Sequence, residues 1–237
     1  MKTTYTILLI IILLTSHSGY CQTAKSFFDH GISRLKVDDY KGAIEDFDKA
    51  LAINPNDALT YCIRGNTKNS IEDYNGAIAD NTKAIEIYKN FGSAYCSRGE
   101  AKNHIQDYKG AIDDFNKGIE IDPKVADSYC RRGISKLSLQ DNTGAIADFT
   151  IAIELDPIDA KTYCLRGAAK AGQKDDEGAI TDFNKAIEIE SNNGSTYYAK
   201  ALSEFILGHK ESACLDFKKA GELGELKADS LFNKLCK

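Results

Sequence analysis

The chain has 237 residues, 43% of them hydrophobic and 27% charged, which is globular material with enough apolar surface for a core. Its net charge of −5 becomes −6 if residues 1–21, which hold Lys2 and no acid, are removed. An acidic balance without any polybasic block argues against nucleic acid and against an anionic membrane surface as partner.

The first element is Met1-Lys2 followed by the apolar run Ile7 to Leu14. That run is too short to span a bilayer and suits the hydrophobic region of a secretory signal. Gly19 and Cys21 stand three and one before a scissile bond at Cys21–Gln22. The expectation is a signal peptide over residues 1–21 and an exported chain starting at Gln22, ending periplasmic, outer-membrane associated or secreted. In the rival reading Cys21 is a lipidated first residue, the only route here to a membrane as partner. Tyr20 is bulky where that modification wants a small side chain.

Next come "YCIRG" at Tyr61, "YCSRG" at Tyr95, "YCRRG" at Tyr129 and "YCLRG" at Tyr163, spaced by 34 residues without insertion. The period extends outward to "FFDHG" at Phe27 and "YYAKA" at Tyr197, giving six units: 24–57, 58–91, 92–125, 126–159, 160–193 and 194–227. Positions are numbered 1 to 34 within a unit. In the second half of the first unit Ala43, Ile44, Phe47, Ala50 and Leu51 make an amphipathic helix stripe that later units repeat. Asn54-Pro55, Asp122-Pro123 and Asp156-Pro157 end helices, because the residue before proline is pushed out of the α region. Glycine at position 8 (Gly31, Gly65, Gly99, Gly133, Gly167) and alanine at position 20 let paired helices approach closely. Each unit therefore predicts an antiparallel helix hairpin, and stacked hairpins make a solenoid. Residues 228–237, with Leu231, Phe232 and Leu235, predict a helix that caps the last hairpin.

The period, the aromatic at position 4, Gly at 8, Ala at 20, aromatic at 24, Ala at 27 and Pro at 32 together resemble the tetratricopeptide repeat family. The resemblance covers residues 24–227. It departs at Asn81 (position 24), Gly118 (27), Lys89 and Ser191 (32) and Ala201 (8), which predicts weakened packing, most of all in the second unit. It implies an all-α, right-handed α-solenoid of helix hairpins with a C-terminal capping helix. It also implies that positions 2, 5, 9 and 12 line a concave groove. On or beside that stripe Asn66, Asn69, Glu100, Asn103, His104 and Asp127 are candidate recognition groups, and Phe28, Ile32 and Tyr198 are candidate apolar anchors. Members of the family that clamp a C-terminal carboxylate carry Lys and Asn at positions 5 and 9 of their first repeat. Phe28 and Ile32 stand there in this chain, so such a clamp is not expected.

Position 7, usually apolar in the family, is basic six times: His30, Arg64, Arg98, Arg132, Arg166 and Lys200. Position 23 is acidic six times: Asp46, Asp80, Asp114, Asp148, Asp182 and Asp216. Opposite charges on helices that must pack are read as structural pairs, with an arginine fork meeting a carboxylate. Arg98 can reach Asp114 or the preceding unit's Asp80. The alternative is an exposed basic ladder for an acidic ligand. Lys68, Lys102, Lys136 and Lys170 at position 11 are expected to lay their stems on the neighbouring helix and keep their amines in water.

Cys62, Cys96, Cys130 and Cys164 fall on the groove stripe, and they are read as a soft apolar floor. Adjacent first helices stand about 8–10 Å apart, too far for a disulfide, which needs α-carbons within about 7 Å. Cys214 and Cys236 lie on the last second helix and the capping helix, and are a possible disulfide. The chain lacks a phosphate-binding glycine loop, a GxSxG elbow, HExxH and CxxC. The reading is a non-catalytic scaffold of the cell envelope, without cofactor, metal or small-molecule substrate, that binds an unknown protein or peptide in its groove. The alternative is a structural subunit of an envelope assembly that uses its N-terminal edge.

Overall fold

The computed structural model describes residues 23–236, so the signal-peptide segment and Cys21–Gln22 lie outside the described residues. The chain divides after Ile121 into two compact units, each entirely α-helical. The first holds α1 (23–35), α2 (Tyr40–Ile53), α3 (Ala58–Ser70), α4 (Tyr74–Ile87), α5 (Gly92–His104) and α6 (Tyr108–Ile121). The second holds α7 (Ala126–Ser138), α8 (Asn142–Leu155), α9 (Ala160–Gly172), α10 (Asp176–Ile189), α11 (Gly194–Ile206), α12 (Lys210–Glu222) and α13 (Leu226–Leu235). Within each unit, helices pack on their chain neighbours, and first helices touch the next first helix, as α3 does α5 and α7 does α9. The architecture is an all-α stack of helix hairpins with a terminal helix. Among the described residues no helix is long and apolar enough to cross a membrane.

Each turn is built the same way. The residue at position 15 takes a left-handed conformation (Asp38, Glu72, Gln106, Gln140, Lys174), and Gly208 serves in the last hairpin. The next residue, Asp39, Asp73, Asp107, Asp141 or Asp175, accepts a hydrogen bond from the backbone N–H of the glycine three residues on, at 2.9–3.0 Å. A Cβ on Gly42 would stand 2.2 Å from the Asp39 carboxylate, so this cap needs glycine.

The core of each hairpin is the position-24 ring pressed against the position-8 glycine. Phe47, Phe115, Phe149, Phe183 and Phe217 are fully or almost fully buried. A Cβ on Gly133 would lie 2.7 Å from the Phe149 ring, and one on Gly31 2.6 Å from Phe47. The second repeat puts Asn81 there instead, fully buried. Its amide donates to the Ala77 carbonyl at 3.0 Å in its own helix, and its Oδ1 has no hydrogen-bond partner.

An unsatisfied buried carbonyl costs about 1–3 kcal/mol, so Asn81→Phe, restoring the ring of the other repeats, should stabilise the chain by about 1–3 kcal/mol in denaturant unfolding. A loss of stability would show that the second hairpin has closed around the smaller side chain.

Candidate functional site

The candidate residues separate into those that packing uses and those on the surface. Arg98 donates from Nε and Nη2 to the two oxygens of Asp114, at 2.9 and 2.6 Å. Arg132 on Asp148 and Arg166 on Asp182 repeat this fork within 0.1 Å. Arg64 meets Asp80 at 2.8 and 2.5 Å. His30 and Lys200 reach Asp46 and Asp216 at 2.6 and 2.8 Å. Each partner is the aspartate of the same hairpin. The arginine plane lies over the position-4 tyrosine, 5.3–5.7 Å from the ring centre. Its remaining nitrogen crosses to the preceding hairpin, from Arg64 to Asp48 at 2.5 Å, from Arg98 to Thr82 at 3.1 Å and from Arg166 to Thr150 at 3.2 Å. The Asp182 hydrogen bond, opposed by burial and aided by the Asp182 charge, holds the Arg166 guanidinium above its ordinary value.

The position-11 lysines are not held in water. Lys68, Lys102, Lys136 and Lys170 each reach the same aspartate at 2.8 Å, with side chains only 19–21% exposed. The carboxylate is nearly dry and can face a second cation as well as the arginine, which the stem-and-solvent expectation overlooked. The cysteines pack as small apolar residues. Cys62 is packed against Ala84 and Ala94, and a Cβ on Gly118 would lie 2.4 Å from the Cys96 sulfur. Cys62 and Cys96 are thus wedged between helices, whereas Cys130 also lines a cleft at the start of the next hairpin. Burial, with a smaller contribution from Cys96, pushes the Cys62 thiol up to about 11, and burial raises Cys130 and Cys164 too. At neutral pH these are inert thiols and not nucleophiles.

The last hairpin breaks the pattern. Position 11 is Glu204, 5% exposed, which accepts from the Ser212 hydroxyl at 2.7 Å and lies 3.4 Å from Lys200. Lys200 thus faces two carboxylates, Glu204 and Asp216. Burial raises Asp216 above the usual carboxylate range; Lys200 pulls it down, Glu204 pushes it up, and the net direction is up. Cys214 and Cys236 are joined by a disulfide, α-carbons 5.7 Å apart, tying α12 to the end of α13.

Among the candidate recognition residues of the first unit, Asn66 is exposed on α3, and Glu100 and Asn103 are half-buried on α5. Asn69 turns inward and donates to the Ser97 carbonyl at 3.2 Å, a bridge from α3 to α5. His104 stacks on Tyr74 with ring centres 4.4 Å apart and planes 5° from parallel. Phe28 and Ile32 are half-buried on α1, and the Phe28 ring centre is 5.9 Å from that of Phe47. In the second unit Asp127 is exposed and meets Arg131 at 2.5 Å. Tyr198 packs with Leu231, Phe232 and Leu235 of α13 around the Phe217 cluster, so it belongs to the terminal cap. Among the described residues no group of three or more His, Cys, Asp or Glu could hold a metal ion.

These hairpins define a helix-hairpin repeat protein. Residues 24–57, 92–125 and 160–193 match the Tetratricopeptide repeat family, and the chain is a tetratricopeptide-repeat protein with several helix-hairpin repeats. No curated protein matches the sequence. Among solved structures it is similar to MamA, at 28% identity over 72% of this chain and 93% of that one, with a TM-score of 0.65. YrrB, described as a TPR protein with an unusual peptide-binding site, is 23% identical over 80% of this chain and 98% of its own, TM-score 0.68. PilF from Pseudomonas aeruginosa shares the fold at 13% identity over 91% of this chain and 99% of its own, TM-score 0.78. The buried thiols and the nearly dry carboxylates are held in packing.

Arg98→Leu should cost about 2–3 kcal/mol in denaturant unfolding, less than the ~3–5 of a fully buried broken pair because Lys102 still faces Asp114. A cost near zero would place the arginine in the exposed-pair class. Asp216, whose pKa is raised by folding, binds more protons in the folded than in the unfolded chain. Its contribution is therefore present below its ordinary value of 3.8 and is lost as pH rises through the raised one. Glu204→Lys restores the second cation and should raise the unfolding midpoint at pH 7 while removing that loss. An unchanged pH profile between about 4 and 7 would show that Asp216 does not carry it.

Proposed function

We propose that the chain is an exported, non-catalytic scaffold of the cell envelope that binds a peptide or protein segment along its first helices. One observation carries this reading: the hairpins close through their own internal carboxylates and cations, while Asn66 keeps an exposed polar side chain on α3, outside those clusters. Buried anchors supply most of an interface's energy, and amides and carboxylates that must be satisfied supply selectivity. The peptide-binding site named for YrrB, on the same fold, agrees with it. The Cys214–Cys236 bridge supports export, since disulfides persist in oxidising compartments. The N-terminal edge is a weaker basis for an assembly role, because Phe28 and Ile32 are partly packed and do not form a bare apolar surface.

Replacing the exposed Asn66 by alanine, with His104 kept because it stacks on Tyr74, should leave thermal unfolding nearly unchanged. Crosslinking in native envelope material should then lose the partner that the unsubstituted chain captures. Unchanged capture, combined with its loss in Phe28→Ala/Ile32→Ala, would replace the groove with the edge. Mass spectrometry of the exported protein should find a chain beginning at Gln22, cyclised to pyroglutamate; a lipid on Cys21 would overturn this.

A further inference from the structure

The fourth repeat carries a cleft against the start of the fifth. It has a volume of about 160 Å³ and lies in the second unit, where α7, the end of α8 and the start of α9 meet. Its floor is the methyl groups of Ala126 and Ala152 with the Cys130 thiol and Thr162. Its rim is three carboxylates, Asp127, Asp156 and Asp159. A cavity near 150 Å³ is large enough for a benzene-sized group, so one side chain fits. We propose that this cleft is a subsite for a lysine or arginine side chain of the bound protein segment, with the stem on the alanine methyls and the cationic head among the carboxylates. The proposal rests on the binding reading above and names the chemistry of its partner.

The sequence gives the site an internal control. The three carboxylates occupy positions 2, 31 and 34, and in no other repeat are all three acidic; the fifth has Lys161, Glu190 and Asn193. The ion clusters that close the hairpins use positions 7, 11 and 23, so Asp127 and Asp156 are not part of them, while Asp159 caps α9 as Asp57 caps α3. Their local partners leave the charge in place. Asp156 accepts from the Ile158 N–H at 3.3 Å, and Asp159 accepts from the Lys161 N–H at 3.1 Å, both neutral donors. Asp127 alone has a cation on it, Arg131, which does not line the cleft.

The floor also fixes the rim. The Thr162 hydroxyl lies within hydrogen-bond distance of both the Asp159 carboxylate and the Cys130 sulfur, the latter at 3.3 Å. A hydroxyl has one proton. Shared between the carboxylate and the sulfur, the hydroxyl ties Asp159 to the cleft floor and limits its orientation. Burial pushes that thiol up; the Thr162 hydrogen bond and the Lys161 charge oppose the rise, and the charges of Asp159 and Asp127 add to it. A preoriented carboxylate loses little freedom when a cation arrives.

The test uses the whole exported chain and a set of short alanine–glycine peptides that differ only at a central lysine, arginine, norleucine, acetyl-lysine or glutamate. Dissociation constants and amide shifts are read at low and high salt. The lysine and arginine peptides should bind roughly 5–10-fold more tightly than norleucine, about what a few partly exposed charges supply. They should shift the amides around Ala126, Cys130 and Thr162, and lose the preference at about 1 M salt. Asp127→Asn/Asp156→Asn should abolish the preference with the melting temperature retained; Asp159 stays because it caps α9. Equal binding of lysine and norleucine peptides at those amides overturns the cationic subsite and leaves the binding reading standing. No shift at the cleft, or a preference that survives the double substitution, also overturns it. Failure of the binding reading itself is read separately, from partner capture.

Discussion

The structure depends on a nearly dry carboxylate in the middle of each of the first five hairpins. Asp46, Asp80, Asp114, Asp148 and Asp182 are between 1% and 4% exposed. Removing such a charge from water costs several kcal/mol unless it is paired and hydrogen-bonded. That penalty dictates the rest of the repeat. An arginine must approach edge-on to give two hydrogen bonds, so its plane needs a flat support, which the position-4 tyrosine ring provides. A lysine one turn later must point to the same place. Both cations sit on the first helix and the acid on the second, so the cluster fixes how the two helices are turned against each other. The glycine beside the arginine then faces the phenylalanine beside the aspartate. Because the arginine's spare nitrogen crosses to the preceding hairpin, the same cluster sets the spacing between repeats.

The four-fold "YCxRG" motif is explained letter by letter on this basis. Tyrosine supports the guanidinium, arginine binds the carboxylate, glycine admits the ring, and cysteine fills the gap against the neighbouring second helix, where a larger side chain would collide. Juxtaposition of a cysteine and an arginine looks like an activated thiol in one dimension. In three dimensions the guanidinium is spent on the aspartate and burial raises the thiol. The motif belongs to packing, and any recognition has to come from positions it leaves alone.

How much of this the chain disclosed follows from what periodicity can carry. A 34-residue period and opposite charges at two fixed positions are visible along a line, and they suffice for helix hairpins that face each other. Contacts that depend on the reach of a side chain are not visible along a line. Lys102 could lie on a helix or bend onto Asp114; only the placement of that carboxylate, dry and with spare lone pairs, decides it. His104 looked like a free recognition group because its partner, Tyr74, is thirty residues away in the preceding hairpin. The capping aspartates with their glycines at positions 16 and 19 did recur in the sequence, and the Asp-x-x-Gly spacing ahead of each second helix was the signal to read. The acidic cleft was overlooked for the opposite reason. It is an exception to the period, and attention to what repeats hides what does not.

The last hairpin shows what happens when the controlling interaction is weakened. This hairpin is covered by α13 where the earlier ones are covered by a further hairpin, and solenoids use specialised end units. Here Glu204 replaces the second cation, so one lysine serves two carboxylates where earlier repeats give one carboxylate two cations. That hairpin is the one closed covalently, by a disulfide between residues 22 apart, on the helix that packs over its core. In the chain-entropy account, closing a loop of that size is worth about 3 kcal/mol, comparable to the loss of a partly buried ion pair. The same hairpin also carries its own glycine at the left-handed turn and alanine in place of glycine at position 8. Stability at this end is thus moved from electrostatics to a covalent bond and apolar cover. A bond of that kind holds only where thiols stay oxidised, so the end of the solenoid ties the fold to its surroundings in a way that the inner repeats, with their buried neutral thiols, do not.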